Sequence, residues 1–596
     1  MKQLRAYARM HRELFAISLK REPRITVGTM ACLVFGAIAF AVTGLSMKYV
    51  VDSMVERDAT AAIIAAFLAA LSFTLDRSIS GVYYILQREL IDKVGHIDLD
   101  PAIMRAAGTL PEVDHLEHTE FLDRMTALRN KAWAVIWSTL LVGEACSMAL
   151  RLLLALAILG TTSPWLLLML PCAAVQLILD RRGQAHEKQS ELDLAEDKRI
   201  QDHLFELCLS ASAGKEIRST GAAPELLERY GAAADRARTT RLRGQFTGSL
   251  WRIAGWCVFA IGFTISIGLV IAQVQRGTAT AGDVMLAATI GAMLREVVSR
   301  AVSSAAGATG TIRVLEPYLW LREYAEEHRE TGERKPAPER LTDGIRLRNL
   351  HFTYRGTETP AVEGVSVDLP AGSVVAVVGE YGSGKTTLMK LLAGLHRPSA
   401  GAIEVDGTDL SEMDIESWRS SMSATFQDFG RYHTTFAEAI AIGDLRGGSA
   451  AALDAAVAAA DADSLRSRLP DGDQTQLGTR FGGVEISEGQ WQKVALARSC
   501  MRPAPLLFLL DEPTASLDAP SEQAVFDSYM ARSKQIASAT GSITVIVSHR
   551  FSTVAGADLI LVMKHGRLIE SGGHDALLSA GGTYAELYGI HAASYS

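Results

Sequence analysis

Ser373-Val-Val-Ala-Val-Val378 runs directly into Gly379-Glu-Tyr-Gly382-Ser383-Gly384-Lys385-Thr386-Thr387. A short β-branched run bounded by glycine predicts a buried strand, and the residues after it predict the first turn of a helix. The join between them fits G-x-x-x-x-G-K-[ST] in the strand–loop–helix context that motif requires. Gly379, Gly382 and Gly384 let the backbone turn its N–H groups inward around phosphate oxygens, at a helix N-terminus that already favours anions. Lys385 is placed to reach the β- and γ-phosphates, with Ser383 and Thr387 beside it, and the Thr386 hydroxyl is placed to ligate Mg2+. A glycine-rich turn before an ordinary helix shares this local pattern, so the rest of the chain has to decide.

Downstream, Pro505–Leu510 is an apolar run ending in Asp511-Glu512. A strand that delivers an acid at its C-terminal end suits a second Mg2+-site element, and Glu512 is placed to polarise an attacking water. Ile543–Val547 is a further strand, ending in Ser548-His549, whose imidazole could contact the γ-phosphate. From Gly344 to Ser596 short β-branched runs alternate with helical ones, the pattern of an α/β domain. Upstream of it, residues 322–343 are dense in charge and contain Pro336 and Pro338, which is linker composition.

Residues 1–321 differ in texture. Ile25–Met47, Ala59–Leu75, Ile253–Gln275 and a run from Trp133 to Gly160 are apolar stretches of membrane-spanning length or close to it. Gly160-Thr-Thr-Ser-Pro164 predicts a tight turn into another span ending near Leu179, and Val284–Ile312 is a sixth, interrupted by Arg295, Glu296 and Arg300. Residues 76–132 and 180–252 are charged and helix-patterned, so they read as membrane helices continued into the cytoplasm. Seven Lys/Arg against two Glu in residues 1–24 predict a cytoplasmic N-terminus, and six spans return the C-terminus to the same side.

Composition agrees with two solvents. The 596 residues are 48% apolar and 21% charged, and a mean hydropathy of +0.14 averages a lipid-facing part with a water-soluble one. A net charge of −8 argues against a nucleic-acid partner. The six cysteines make no CxxC or Cys/His spacing, so neither zinc nor a disulfide framework is implied.

Tyr354, the Gly379–Thr387 loop, Gln427, Ser487-Glu-Gly-Gln490, Asp511-Glu-Pro-Thr-Ala-Ser-Leu-Asp518 and His549 occur in the order used by the ATP-binding cassette family. With the spans before them, they make the chain resemble an exporter-type half-transporter over almost its whole length. The resemblance implies a six-helix, all-α transmembrane domain followed by an α/β P-loop nucleotide-binding domain. It implies that Tyr354 stacks on adenine and that Gln427 senses the Mg2+ and water. It implies that Thr386, Gln427 and Asp511 hold the ion, and that Glu512, His549 and Lys385 serve hydrolysis. Ser487, Gly489, Gln490 and Asp518 would act on ATP held by an opposing subunit, so a second half-transporter is expected. A homodimer is favoured and a heterodimer left open.

The signature departs from the family's Leu-Ser-Gly-Gly-Gln, reading Ile486-Ser-Glu-Gly-Gln490. Ser487 and Gln490 have capping-box spacing, so the helix start is expected to persist. Glu488 brings negative charge toward a polyphosphate: at about 8 Å and an effective dielectric near 20, roughly 2 kcal/mol of repulsion, enough to slow closure. Leu477-Gly-Thr-Arg480 lacks a Glu that many exporters carry in this region. Phe426-Gln-Asp-Phe429, Tyr432, Phe481-Gly-Gly-Val484 and Trp491-Gln492 resemble bacterial exporters of lantibiotic-like peptides, and the 24 residues before the first span leave no room for a leader peptidase.

Glu144 and Arg151, seven residues apart on the third span, are expected on one helix face. With Arg295, Glu296 and Arg300 they would line a polar pathway, unless they snorkel to the surface. Phe121–Asn130 and Gly214–Gly221 resemble the family's cytoplasmic coupling elements. The expected activity is ATP-driven export of a peptide or other amphipathic molecule across a bacterial cytoplasmic membrane. A soluble chromosome-maintenance ATPase is excluded by the spans. An importer on the same fold and a non-transporting ATP-binding regulator share every motif.

Overall fold

The computed structural model describes all residues except 1, 130, 163–164, 167–168, 329–332, 515–518, 549–553 and 595–596. The chain divides into two units, Met1–Gly108 with Arg124–Glu323, and Thr109–Asp123 with Tyr324–Ser596.

The first unit is helical: α1 (Lys2–Arg21), α2 (Pro23–Val55), α3 (Ala59–Leu90), α4 (Ala132–Thr162), α5 (Met169–Asp193), α6 (Ala223–Gln275) and α7 (Ala281–Glu327) are its long elements. Their starts follow from local chemistry. Pro23 opens α2 with the φ a first turn needs, and Asp58 caps α3 by accepting from the N–H groups of Thr60 and Ala61. α3 continues through a π-helical stretch, Ile91–Leu99, into Asp100–Gly108. α6 has 53 residues, about 80 Å at 1.5 Å per residue, far more than a bilayer core requires.

Among the described residues, four helices are long and apolar enough to cross a membrane: Pro23–Val55, Ala59–Gly108, Ala132–Gly160 and Ala223–Gln275. The other two expected spans fall within α5 and α7, which are helical but carry charge. α4 reaches Thr162, past the first residues of the expected turn, and residues 163–164 lie outside the described part. α7 runs on past Arg322 to Glu327, because a charged run of good helix formers continues a helix as readily as an apolar one.

α5 and α6 meet along small residues. Gly244, Gly248, Gly255 and Gly262 of α6 are buried against Ser190, Gly183 with Glu187, Gln176 and Cys172 of α5. A Cβ on Gly183 would stand 2.7 Å from the Gly248 carbonyl oxygen, so the two backbones touch.

In the second unit, β1 (Gly344–Phe352), β2 (Val362–Pro370), β4 (Ala400–Val405) and β5 (Thr408–Asp409) form an antiparallel sheet in the order β2-β1-β4-β5. β3 (Val374–Gly379), β6 (Met422–Thr425), β7 (Leu507–Asp511), β8 (Ile543–Val547), β9 (Leu559–Lys564) and β10 (Arg567–Gly572) form a second, ordered β10-β9-β3-β8-β7-β6. All its pairings are parallel except β9–β10. Residues 374–378, 507–511 and 543–547 are buried throughout, as continuous apolar runs in a parallel sheet should be. A separate cluster around Phe436, Trp491 and Tyr529 gathers helices α9 (Phe436–Ala441), α10 (Ala450–Ala459) and α11 (Glu488–Ser499), counting Lys385–Leu392 as α8.

Candidate nucleotide site

β3 lies between β8 and β9, so the loop after it opens at the C-terminal ends of parallel strands, where ligands bind in such sheets. Gly384 has φ 98°, and a Cβ there would overlap the Ala361 carbonyl, so no other residue fits this loop without a shift. Lys385, 6% exposed, donates from Nζ to the carbonyls of Gly379 (3.0 Å) and Glu380 (2.9 Å), which places its ammonium inside the loop. Burial pulls its pKa down, and the nearby Glu512 and Asp511 carboxylates oppose that shift.

Asp511 ends β7 and is 1% exposed, and neither carboxylate oxygen has a hydrogen-bond partner of good geometry. Burial raises its pKa, while the neighbouring Thr386 hydroxyl works in the other direction. A buried carboxylate beside a hydroxyl at the mouth of a phosphate loop is a donor set suited to Mg2+. Glu512 follows in a left-handed conformation, φ 49°, with its N–H donating to Val547 O and its carbonyl accepting from Gln492 Nε2. Strain of this kind at a non-glycine residue gathers at functional sites. Gln427 is exposed and lies two residues beyond the Thr425–Leu510 pair of β6 and β7, as Glu512 does on its own strand.

Tyr354 follows β1. Its hydroxyl is 3.1 Å from Thr387 Oγ1, and Lys390 Nζ lies 5.7 Å from its ring centre, so the ring stands beside the first turns of α8. The signature is built as its spacing predicts. Gln490 N donates to Ser487 Oγ and Ser487 N to Gln490 Oε1, closing a capping box at the start of α11. Asp518 and His549 lie outside the described residues.

Two clusters escaped sequence reasoning. Glu488 is ion-paired with Arg431, four residues after Gln427. The fully buried His396 ring binds Asp114 through Nδ1, and Lys390 and Arg397 pair with Glu117 (2.8 Å) and Glu112 (2.7 Å). Val113 N donates to Leu395 O, which completes the attachment of segment 109–123 within the second unit. The His396 partnership holds the Asp114 carboxyl below its ordinary range. The anchored segment lies just N-terminal to, and overlaps, the Phe121–Asn130 stretch singled out as a coupling element; Asn130 is outside the described residues. Gly221 ends the helix Ala211–Thr220 in a left-handed cap.

In the first unit, Arg151 pairs with Asp76 (3.1 Å) rather than Glu144, and Glu144 lies 3.4 Å from Ser304 Oγ. Arg300 pairs with Glu296 (2.8 Å), and Arg77 approaches Glu296 at 4.0 Å. The side chain of Arg295 lies outside the described residues.

A sequence profile of the family described as "ABC transporter" matches residues 362–515. The chain is 32% identical over 440 residues to the ATP-dependent lipid A-core flippase of Pseudomonas savastanoi pv. phaseolicola (strain 1448A / Race 6), covering 72% of this chain and 69% of that one. It is 35% identical over 384 residues to the protein of the same name from Pseudomonas putida (strain KT2440), covering 63% of this chain and 60% of the relative. The match to that second relative therefore spans under two thirds of its length. Among solved structures, one described as a bacterial Atm1-family ABC exporter with ATP bound superposes with a TM-score of 0.80 at 22% identity, over 96% of this chain and 99% of the other.

Proposed function

The chain belongs to the ABC transporter family, and on that premise we propose that it is an ATP-hydrolysing half-transporter that pairs with a second chain to export an amphiphile. The observation that carries the ATPase reading is the buried Asp511 carboxylate beside Thr386 at the mouth of the Lys385 loop.

In this reading the backbone of Gly379–Thr387 cradles the phosphates, and Lys385 gives up its two carbonyl contacts to neutralise them. Thr386, Asp511 and Gln427 would hold Mg2+, which supplies charge neutralisation between the phosphates. Glu512 accepts a proton from the attacking water, His549 steadies the γ-phosphate, and Tyr354 stacks on the base. Ser487, Gly489, Gln490 and Asp518 complete the site of the opposing chain, two copies of this chain being the simplest pairing.

The reading of the cargo is supported by α7. Glu296, Ser299, Arg300 and Ser303 recur on one exposed stripe, with Glu296 about 22 Å along the helix from its start. Polar side chains at that depth belong in a water-filled cavity rather than in lipid. Arg77 joins them, so that among the described side chains of this group two cations stand against one anion, which favours an amphiphile with an anionic head group. The two relatives named as lipid A-core flippases agree with a lipid-like cargo. The peptide-exporter resemblance around Phe481–Trp491 supports a peptide as the second reading.

The basic flank of residues 1–24 supports a cytoplasmic N-terminus, and six spans would return the C-terminus to the same side. ATPase activity in proteoliposomes should be lost in Glu512→Gln. In the wild type it should rise with anionic amphiphiles more than with zwitterionic ones, and Arg300→Ala should remove that preference. Stimulation by a cationic peptide alone would overturn the anionic-amphiphile assignment. ATPase activity retained by Glu512→Gln would overturn the hydrolytic one.

A further inference from the structure

The segment after Gln427 lies along α11. Arg431 Nη2 binds the Glu488 carboxylate in the helix's first residue. The His433 ring meets Trp491 edge to face at 5.6 Å. Near the C-terminal end, Arg498 donates to Gly430 O (3.0 Å) and Ala439 O (2.8 Å) and stacks on the Tyr432 ring at 4.4 Å. Residues 430–433 are thus tied to α11 at three levels, of which only the Arg431–Glu488 contact reaches its N-terminus.

That N-terminus is prepared for an anion. The capping box uses the Ser487 and Gln490 N–H groups, while those of Glu488 and Gly489 have no acceptor within the helix and point out of its end. A free carboxylate on Glu488 would oppose any phosphate approaching them. Half-exposed pairs of this kind add little to fold stability, so the contact matters chiefly for where charge is held.

We propose that Arg431 is a positioning residue that neutralises Glu488 and holds its carboxylate aside, so that the start of α11 can receive the γ-phosphate of ATP held by an opposing chain. The inference rests on the two-chain ATP site proposed above. It also revises the expected effect of Glu488: with Arg431 in place, the repulsion is largely cancelled.

A double-mutant cycle on the full-length protein in proteoliposomes tests it, reading kcat and KM for ATP. Arg431→Ala should lower kcat/KM about tenfold or more, and the loss should shrink as salt rises. Adding Glu488→Gly to Arg431→Ala should restore most of the activity, because the charge to be neutralised has gone. Wild-type kinetics in Arg431→Ala would overturn the proposal. So would a double variant as poor as Arg431→Ala, since Arg431 would then be acting on the phosphate directly. Glu512→Gln is the separate control: ATPase activity surviving that change would sink the underlying site reading, whatever Arg431 does.

Discussion

The carboxylate of Asp511 is 1% exposed, has no hydrogen-bond partner of good geometry, and has its pKa raised by burial. A carboxyl with a folded-state pKa above its unfolded one costs stability once pH exceeds the unfolded value, and costs nothing below it. Asp511→Asn should therefore stabilise the nucleotide-free protein at neutral pH, a gain that fades as pH falls into the ordinary carboxylate range. The same change should cut ATPase activity at least about a hundredfold, since it weakens the Mg2+ ligand. Melting curves at pH 7.5 and 5 check the first half; a variant less stable than wild type at pH 7.5 would contradict the argument. The loop, Asp511 and the capping box were legible in sequence because each is written in neighbouring residues. Arg431–Glu488 and Asp114–His396 join positions 57 and 282 residues apart, and no local pattern records such a pairing.

Among the elements, the α5–α6 pair shows what hydropathy hides. A sliding average registers apolar content, whereas this contact is made by the absence of side chains at Gly183, Gly244, Gly248, Gly255 and Gly262. Gly248→Leu should force the helices apart, lower the apparent melting temperature and reduce transport, overpacking of this kind costing about 1–3 kcal/mol. Gly268→Leu on the same helix meets nothing within 4 Å and should be tolerated. Equal damage from both changes would show that helix composition, rather than the seam, is at stake. The faint sixth span has a related cause: Glu296 and Arg300 dilute its hydropathy because they sit on a polar stripe. Helical periodicity predicts a common face for Glu144 and Arg151, but it cannot say which neighbours that face meets. Arg151 went to Asp76, and Glu144 to Ser304.

At the scale of the whole molecule, one chain carries one phosphate loop, Gly379–Thr387, and one signature, Ser487–Gln490. If each working site joins the loop of one chain to the signature of another, defects in the two motifs should complement. Lys385→Ala and Ser487→Ala chains should each be nearly inactive alone. Mixed before assembly, half the pairs are hybrids. Each hybrid has one site with both defects and one with neither, so about a quarter of the wild-type sites are intact. ATPase activity of the mixture should rise to about that fraction if the sites fire independently, and should stay at the level of the single variants if each chain hydrolyses ATP with its own signature. Activity well above a quarter would instead mean that an intact site turns over faster when the other site of its pair is dead. The mixing experiment thus separates a shared site from a self-contained one, and it reads how far the two sites of a dimer depend on each other.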